Sequence, residues 1–184
     1  MKDHSPILKR NLTGCVAAVL LILFDQFTKM LAVAHLKDQP SNVLIDGVFE
    51  LRYLENRGSA FGMMQNKLMI LIPVTVVVTL FILYLFLKNL PATRHFFWLN
   101  AVAVLFFAGA IGNFIDRVRQ GYVVDFFYFS LINFPIFNVA DIYVTAAAFL
   151  LIFLCLFYYK EEDFEQIFPS DSSRQHSSEK KDND

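Results

Sequence analysis

The sequence carries little charge, and its two signs nearly cancel. Asp, Glu, Lys and Arg make up only 18% of the 184 residues, against about 25% in ordinary globular domains. The 16 basic and 17 acidic residues give a formal net charge of −1, so the chain lacks the basic surface with which proteins bind phosphate backbones. We therefore expect no nucleic-acid partner.

Cysteine and histidine are also scarce, and neither residue type is spaced for metal binding. Cys15 and Cys155 lie inside separate apolar runs without a CxxC pair, which is typical of core or lipid-facing residues. No two of the four histidines have the spacing of ligands on one helix; they are His4, His35, His95 and His176. The sequence thus predicts no metal and no cofactor, and we expect any chemistry to depend on carboxylates.

Apolar residues, by contrast, are abundant enough for a membrane protein. They make up 56% of the chain, which includes 21 Phe. At a rise of about 1.5 Å per residue, about twenty apolar residues cross the roughly 30 Å hydrocarbon core of a bilayer. The pattern predicts an all-α membrane protein with four transmembrane helices. The four segments are residues 12–31, 68–87, 96–115 and 139–159.

The first segment leaves a second interpretation open. Lys9 and Arg10, followed by the apolar residues 12–24, look like the start of a secretory signal sequence with its cleavage site at residues 32–34. The charged stretch at residues 25–29 disfavours this interpretation, because signal sequences seldom carry charge at that point. Four uncleaved spans place both termini on one side, and nine Lys and Arg there, against seven on the other side, favour the cytoplasm.

The connections between the spans differ in character. Residues 43–53 have β-forming residues on both sides of an Asp-Gly pair, which predicts a β-hairpin and hence a small sheet on the periplasmic face. Residues 122–129 are too apolar for a free loop and too short to span, so we expect an interfacial segment. Residues 160–184 carry four basic and eight acidic residues. They predict a disordered polar cytoplasmic tail after a membrane domain at residues 1–159.

Two pairs of charged residues near the ends of the spans have both a structural and a functional interpretation. Asp25 and Lys29 are i,i+4 on a helix and form either a local ion pair or part of a site. Asp116 and Arg117 end the third span, either as an ordinary helix terminus or as positioning groups for a site. The sequence alone does not choose between these interpretations.

Asp125 and Asp141 are the candidate catalytic pair. Asn138 and Asp141 have the spacing of a helix N-cap and its first turn, which by itself would explain both residues. Asp125 has no such explanation, since it lies within an aromatic run where an ionised carboxylate is costly. If residues 122–129 fold back over the start of the last span, the two aspartates approach each other and share one proton near neutral pH. Aspartic peptidases use such a pair to activate water.

Five blocks of sequence carry a resemblance to a known family. In their order across four spans they closely resemble the lipoprotein signal peptidases, also called signal peptidase II, over about residues 10–159. The resemblance implies a bacterial inner-membrane aspartic peptidase that cleaves signal peptides from diacylglyceryl-modified prolipoproteins just before the lipidated Cys. The blocks are Asp25-Gln26-Phe27-Thr28-Lys29, Asn56-Arg57-Gly58-Ser59-Ala60-Phe61-Gly62, Gly112-Asn113-Phe114-Ile115-Asp116-Arg117, Gly121-Tyr122-Val123-Val124-Asp125-Phe126 and Phe137-Asn138-Val139-Ala140-Asp141.

The resemblance also implies roles for single residues and partners for the chain. It makes Asp125 and Asp141 the catalytic pair, at the periplasmic side of the membrane. Prolipoprotein substrates, membrane lipid and the inhibitor globomycin are the expected partners, and we expect a monomer. The implied substrate-binding residues are Asn56, Gly58, Asn113, Arg117 and Asn138, and we expect Asp25, Lys29 and Asp116 to have structural or positioning roles.

Three rival classes fit the sequence less well. A small transporter also places Asp near membrane depth, but it typically shows repeats or broken helices, which this sequence lacks. A metal-dependent membrane phosphotransferase would cluster its Asp ligands, whereas Asp116, Asp125 and Asp141 are 9 and 16 residues apart. Presenilin-type intramembrane peptidases carry a Gly-x-Gly-Asp block that is absent from this sequence.

Overall fold

Long apolar helices make up most of the structure, a computed structural model that describes residues 5–58 and 68–168. The helices are α1 (Ser5–Leu36), α2 (Leu68–Tyr84), α3 (Phe97–Gln120) and α4 (Val139–Phe153). Helices α2 and α4 each continue into one π-helical turn, at Leu85–Asn89 and Leu154–Tyr158. Four helical segments are long and apolar enough to cross a membrane: Pro6–Leu36, Met69–Asn89, Phe97–Gln120 and Val139–Tyr158.

These segments confirm the predicted all-α membrane fold. Helix α1 extends beyond the predicted span of residues 12–31 in both directions, and the polar side chains of Asp25 and Lys29 in its second half are buried. Large apolar side chains such as Leu20 and Phe149 point away from the protein. Such an outward apolar surface is expected where the surrounding solvent is lipid.

Three antiparallel strands form a small sheet beside the helices, in the order β1-β2-β3. The strands are β1 (Asn42–Ile45), β2 (Phe49–Asn56) and β3 (Val123–Tyr128). The predicted hairpin is thus present, and Gly47 in its turn has a φ of 65°, a conformation that favours glycine. The register shifts between Val43 and Ile45 and again between Leu51 and Leu54.

Most of the predicted interfacial segment at residues 122–129 is strand β3. Pairing with β2 satisfies part of the backbone of this apolar run, and Phe126 and Phe127 donate their N–H groups to the carbonyl of Phe137. On one face of β3, Val124 and Phe126 pack with Ala32 of α1 and Val139 of α4. Asp125 lies on the opposite face, and this alternation points it at a cavity described below.

Helices α3 and α4 approach closely at two glycines of α3. A Cβ added at Gly109 would lie 2.6 Å from the carbonyl oxygen of Ala140, and one at Gly112 would lie 2.6 Å from Oδ2 of Asp25. Small residues allow such approaches between membrane helices. Gly112 therefore leaves room for a buried carboxylate of α1 between α3 and α4.

The polar tail begins with a helix, which corrects the expectation of disorder from residue 160. Helix α5 (Glu161–Ile167) ends in Ile167, a side chain only 4% exposed that joins a core cluster with Phe86 and Tyr159. Asn89 donates to the carbonyl of Ile167 at 2.8 Å, and His95 lies 2.9 Å from Asp163. The polar composition of the tail as a whole gave no indication that Ile167 packs in the core. The remainder of the tail, residues 169–184, lies outside the described residues.

We predict that Gly112→Ala destabilises the protein by about 1–3 kcal/mol, because the new methyl group would overlap a carboxylate that cannot move aside. Thermal unfolding in detergent measures the change. Gly14→Ala is the matched control, since the three atoms nearest to a Cβ at Gly14 belong to the ring of Phe86, an uncharged side chain outside the ion cluster. An equal loss of stability in the two variants would contradict this account of Gly112.

Candidate active site

Lys29 is buried between two of the four carboxylates that the sequence singled out. Its Nζ lies 2.9 Å from Oδ2 of Asp25 and 3.0 Å from Oδ2 of Asp116, and it donates to Oδ1 of Asn113 at 2.8 Å. The side chain of Lys29 is 4% exposed. The ion pair predicted from i,i+4 spacing is therefore present, and it extends across to helix α3.

Both oxygens of each of these two carboxylates have partners. Oδ1 of Asp25 accepts from the backbone N–H of Ala140 at 2.9 Å, and Oδ2 of Asp116 accepts from that of Val124 at 3.2 Å. Gln26, whose role the sequence did not predict, donates to Oδ1 of Asp116 at 3.0 Å. Together these contacts join α1 and α3 to the start of α4 and to β3, so this cluster holds the surrounding elements in place.

Asp125 is bound in a different manner, by amides alone. It is 1% exposed; its Oδ1 accepts from Nδ2 of Asn138 at 2.6 Å and its Oδ2 from Nδ2 of Asn56 at 2.9 Å. Within residues 5–58 and 68–168, no Lys or Arg side chain lies within ion-pair distance of Asp125 or of Asp141. These two carboxylates therefore lack the direct neutralisation that Lys29 gives to the other two.

Asp141 caps helix α4, as its spacing from Asn138 predicted, and it also contacts Asn113 of α3. It forms a capping box at the start of α4, in which its N–H donates to Oδ1 of Asn138 at 3.0 Å and its Oδ2 accepts from the N–H of Asn138 at 3.2 Å. Its Oδ1 accepts from Nδ2 of Asn113 at 2.9 Å. Asn138 also donates to Oδ1 of Asn113 at 3.1 Å. Two asparagines thus link Asp141 to Asp125.

Both of these aspartates line a cavity of about 740 Å³. Burial, and then the negative charge of Asp141, raises the pKa of Asp125 to about 7, although its amide partners act in the opposite direction. The rest of the wall is largely apolar and comes from the segment before α4 and from α4 itself. The sequence did not predict this wall, although its residues 134–137 form one uncharged run. The apolar residues of the wall include Phe134, Pro135, Ile136, Phe137, Ile142, Val144, Ala146 and Phe149.

Arg117 extends toward the same cavity rather than bracing Asp116. Its Nη2 donates to the carbonyl of Gly58 at 3.2 Å and its Nη1 to that of Asn113 at 3.4 Å. The N–H of Gly58 donates in turn to Oδ1 of Asn56 at 2.9 Å. Nε of Arg117 is buried and has no partner among the residues that the structure describes. Arg117 thus lines the same cavity as Asp125 and Asp141.

The described part of the chain contains no group of three or more His, Cys, Asp or Glu side chains that could hold a metal ion. The site residues expected from the sequence are brought together around two connected clusters. One is the ion cluster of Asp25, Lys29 and Asp116, and the other contains Asn56, Asn113, Asp125, Asn138 and Asp141.

Fold and site together define a multi-pass membrane protein with a polar site enclosed by its helices and a small sheet. The family model of signal peptidase (SPase) II matches residues 17–157. A lipoprotein signal peptidase from Caldanaerobacter subterraneus subsp. tengcongensis is 44% identical over 143 residues, which are 77% of this chain and 94% of the relative. One from Streptococcus thermophilus is 43% identical over 148 residues, 80% of this chain and 93% of the relative.

Solved structures of bacterial membrane enzymes also resemble this chain. One, described as a bacterial membrane enzyme, has a TM-score of 0.71 and 32% identity, and the match covers 81% of this chain and 92% of that chain. The chain belongs to the signal peptidase II family. It is therefore a multi-pass bacterial membrane peptidase that removes signal peptides from prolipoproteins. Helix α5 lies beyond the residues that the family model matches.

We predict that Lys29→Met lowers the free energy of unfolding by about 3–5 kcal/mol, because Asp25 and Asp116 would remain buried without their cation. Lys37→Met is the matched control: Lys37 pairs with Glu55 at 3.1 Å, but its side chain is 40% exposed. Removing such a surface pair is expected to cost about 0–1 kcal/mol. Thermal unfolding of both variants in detergent compares them, and similar melting temperatures would contradict the structural role of Lys29.

Proposed function

We propose that this peptidase is of the aspartic type, with Asp125 and Asp141 as its catalytic pair. One observation carries the proposal: the two carboxylates face one cavity and share Asn138, without a cation in contact, while Lys29 neutralises the other two. Carboxylates with only a structural role between helices are not required to line a cavity. A pair that must hold and release a proton needs both access and the absence of a fixed counter-ion.

The pair holds a single proton near neutral pH. Burial and the charge of Asp141 raise the pKa of Asp125 to about 7, so ionising both carboxylates at once is unfavourable. The two groups titrate as a unit, and one is then available as a base while the other is available as an acid. This is the protonation state that aspartic catalysis requires.

The reaction follows from this state. The ionised carboxylate takes a proton from a water molecule, whose oxygen attacks the carbonyl carbon of the scissile peptide bond. The protonated carboxyl gives its proton to the carbonyl oxygen, so the tetrahedral intermediate forms without a separated charge. When the C–N bond breaks, the leaving amine receives the proton that the first carboxylate took from water. The second carboxylate takes a proton back from one of the two hydroxyl groups of the intermediate, and the pair returns to its starting state.

Asn56, Gly58, Asn113, Arg117 and Asn138 form the proposed substrate site. Their amide, carbonyl and guanidinium groups surround the pair, and an unwound stretch of signal peptide in a membrane needs such partners for its backbone. The guanidinium of Arg117, a side chain that lines the cavity, is available to bind a substrate carbonyl or a lipid phosphate. The apolar wall of the cavity accepts the acyl chains of the diacylglyceryl group. The lipid then fixes the depth of the bond just before the modified Cys, and globomycin occupies the same cavity.

The proposed placement in the membrane follows the charge distribution. Both termini lie in the cytoplasm, and the sheet and the cavity lie on the periplasmic side of the inner membrane. Residues 1–159 form the catalytic domain, which acts as a monomer because both aspartates and the surrounding amides belong to one chain. The single proposed site requires no cofactor, since acid, base and nucleophile are two side chains and water.

We predict that Asp125→Asn and Asp141→Asn each lower the turnover number by on the order of 10²- to 10⁴-fold, because an amide neither accepts a proton from water nor returns one. The assay is cleavage of a purified diacylglyceryl prolipoprotein in detergent, with products identified by mass spectrometry. Asp46→Asn, in the exposed hairpin turn, is the control and should retain full activity. Wild-type turnover by either dyad variant would refute the assignment, and matched melting temperatures exclude loss of fold as the cause.

The activity should also decline as pH rises through about 7. Above its pKa Asp125 loses its proton, both carboxylates become ionised, and no acid remains to protonate the carbonyl oxygen. Below this range the acid is retained, and activity falls only where the second carboxylate also becomes protonated. The measurement is kcat/KM against pH for a lipopeptide substrate, with Trp fluorescence to verify the fold. A rate that keeps rising well above pH 7 would contradict the shared proton.

A further inference from the structure

The loop that follows β3 exposes apolar side chains outside the four spans. We call residues 129–135 the apolar tip. Leu131 and Ile132 are each 69% exposed, and Phe129 and Phe134 are 39% and 38% exposed. Residues 126–140 contain no charged side chain at all. An exposed apolar run of this kind is unusual in contact with water, and it is typical of a surface that contacts a partner or a membrane.

Two backbone hydrogen bonds and one side-chain hydrogen bond hold the apolar tip together. Asn133 donates to the carbonyl of Ser130 at 3.2 Å, and Phe134 donates to that of Phe129 at 3.1 Å. Tyr128 donates its hydroxyl to Oδ1 of Asn133 at 2.8 Å. Non-helical backbone enters an apolar phase only when its polar groups have partners. The tip meets this condition in part, at the N–H groups of Leu131, Asn133 and Phe134.

The tip is continuous with a surface that already faces lipid. Phe134 and Pro135 line the cavity together with Ile142 and Phe149 of α4, and these two α4 side chains are 44% and 70% exposed. An apolar surface thus runs from the transmembrane helix to the tip. On the strand side, Arg52 lies over the ring of Tyr128 at 5.7 Å, and a cation with an aromatic ring is typical of the headgroup level.

We propose that the apolar tip inserts into the lipid bilayer at the boundary between headgroups and acyl chains. The continuity with α4 favours lipid over a second copy of the chain, and a loop of seven residues offers little of the roughly 1,000 Å² that a stable protein interface buries. Insertion fixes the depth of the catalytic cavity, because Phe129 and Phe134 pack on Phe137 with ring centroids 5.9 and 5.7 Å apart. Phe137 directly precedes Asn138. The proposal does not depend on the catalytic assignment of the aspartates.

The test uses the fact that the chain has a single Trp, Trp98. In a Trp98→Phe background, Leu131→Trp is introduced into the full chain, which is reconstituted into phosphatidylcholine vesicles brominated at defined acyl positions. Quenching by bromine near the headgroup end of the acyl chain, together with protection from iodide in the aqueous phase, is the expected result. Ile132→Trp repeats the measurement at the neighbouring position, so that a folding defect in one variant does not decide the outcome.

Gln39→Trp is the matched control, since it lies in an exposed polar turn after α1 and should be quenched by iodide and not by bromine. Iodide quenching of position 131 or 132 to the extent seen at position 39 would overturn the proposal. Protection from both quenchers, together with a chemically cross-linked dimer, would assign the tip to a second copy of the chain and would overturn it as well.

A second measurement tests whether the tip sets the depth of the site. The double variant Leu131→Asn/Ile132→Asn should lower kcat/KM about tenfold for a prolipoprotein embedded in the same vesicles, since small misplacements of a reacting bond are costly. It should leave cleavage of the same substrate in detergent micelles unchanged, because a micelle adapts to the protein. Equal losses in both settings, or no loss in vesicles, would overturn the role of the tip in setting depth.

Discussion

The position of Lys29 is the constraint on which most of this structure depends. A buried ammonium requires negative partners, and it finds Asp25 on its own helix and Asp116 on α3. Each of these carboxylates also accepts a backbone N–H from another element, Asp25 from Ala140 at the start of α4 and Asp116 from Val124 in β3. A single cation thus determines the relative positions of α1, α3, α4 and β3.

The same constraint separates the roles of four chemically identical side chains. Asp25 and Asp116 receive the cation and become structural, whereas Asp125 and Asp141 receive only amide N–H groups and keep access to a cavity. Asn113 connects the two clusters, because its Oδ1 accepts from Lys29 and its Nδ2 donates to Asp141. The orientation of this amide is therefore fixed by the cation. A rigid support behind a proton-transferring pair is what positioning catalysis requires.

The sheet allows a buried carboxylate to lie within an aromatic segment outside the helices. Without the sheet, a carboxylate at the end of a span would be expected to contact water, and an aromatic loop would be expected to contact lipid. Strand pairing gives residues 123–128 a regular alternation, so that Val124 and Phe126 pack inward while Asp125 faces the cavity. The short strand thus allows one residue in an apolar run to be polar, with amide partners from β2 and from the N-cap of α4.

The sequence by itself determined the four spans, the hairpin and the i,i+4 pair of Asp25 and Lys29, because apolar length, turn chemistry and helical spacing are local properties. It also singled out Asp125, whose cost in an aromatic run is visible without coordinates. Tertiary structure alone decided that residues 123–128 form a third strand and that Ile167 anchors helix α5, since both depend on partners distant in the chain. It alone decided that Lys29, and not Arg117, pairs with Asp116, because a buried ion pair is formed between whichever charges packing brings within reach.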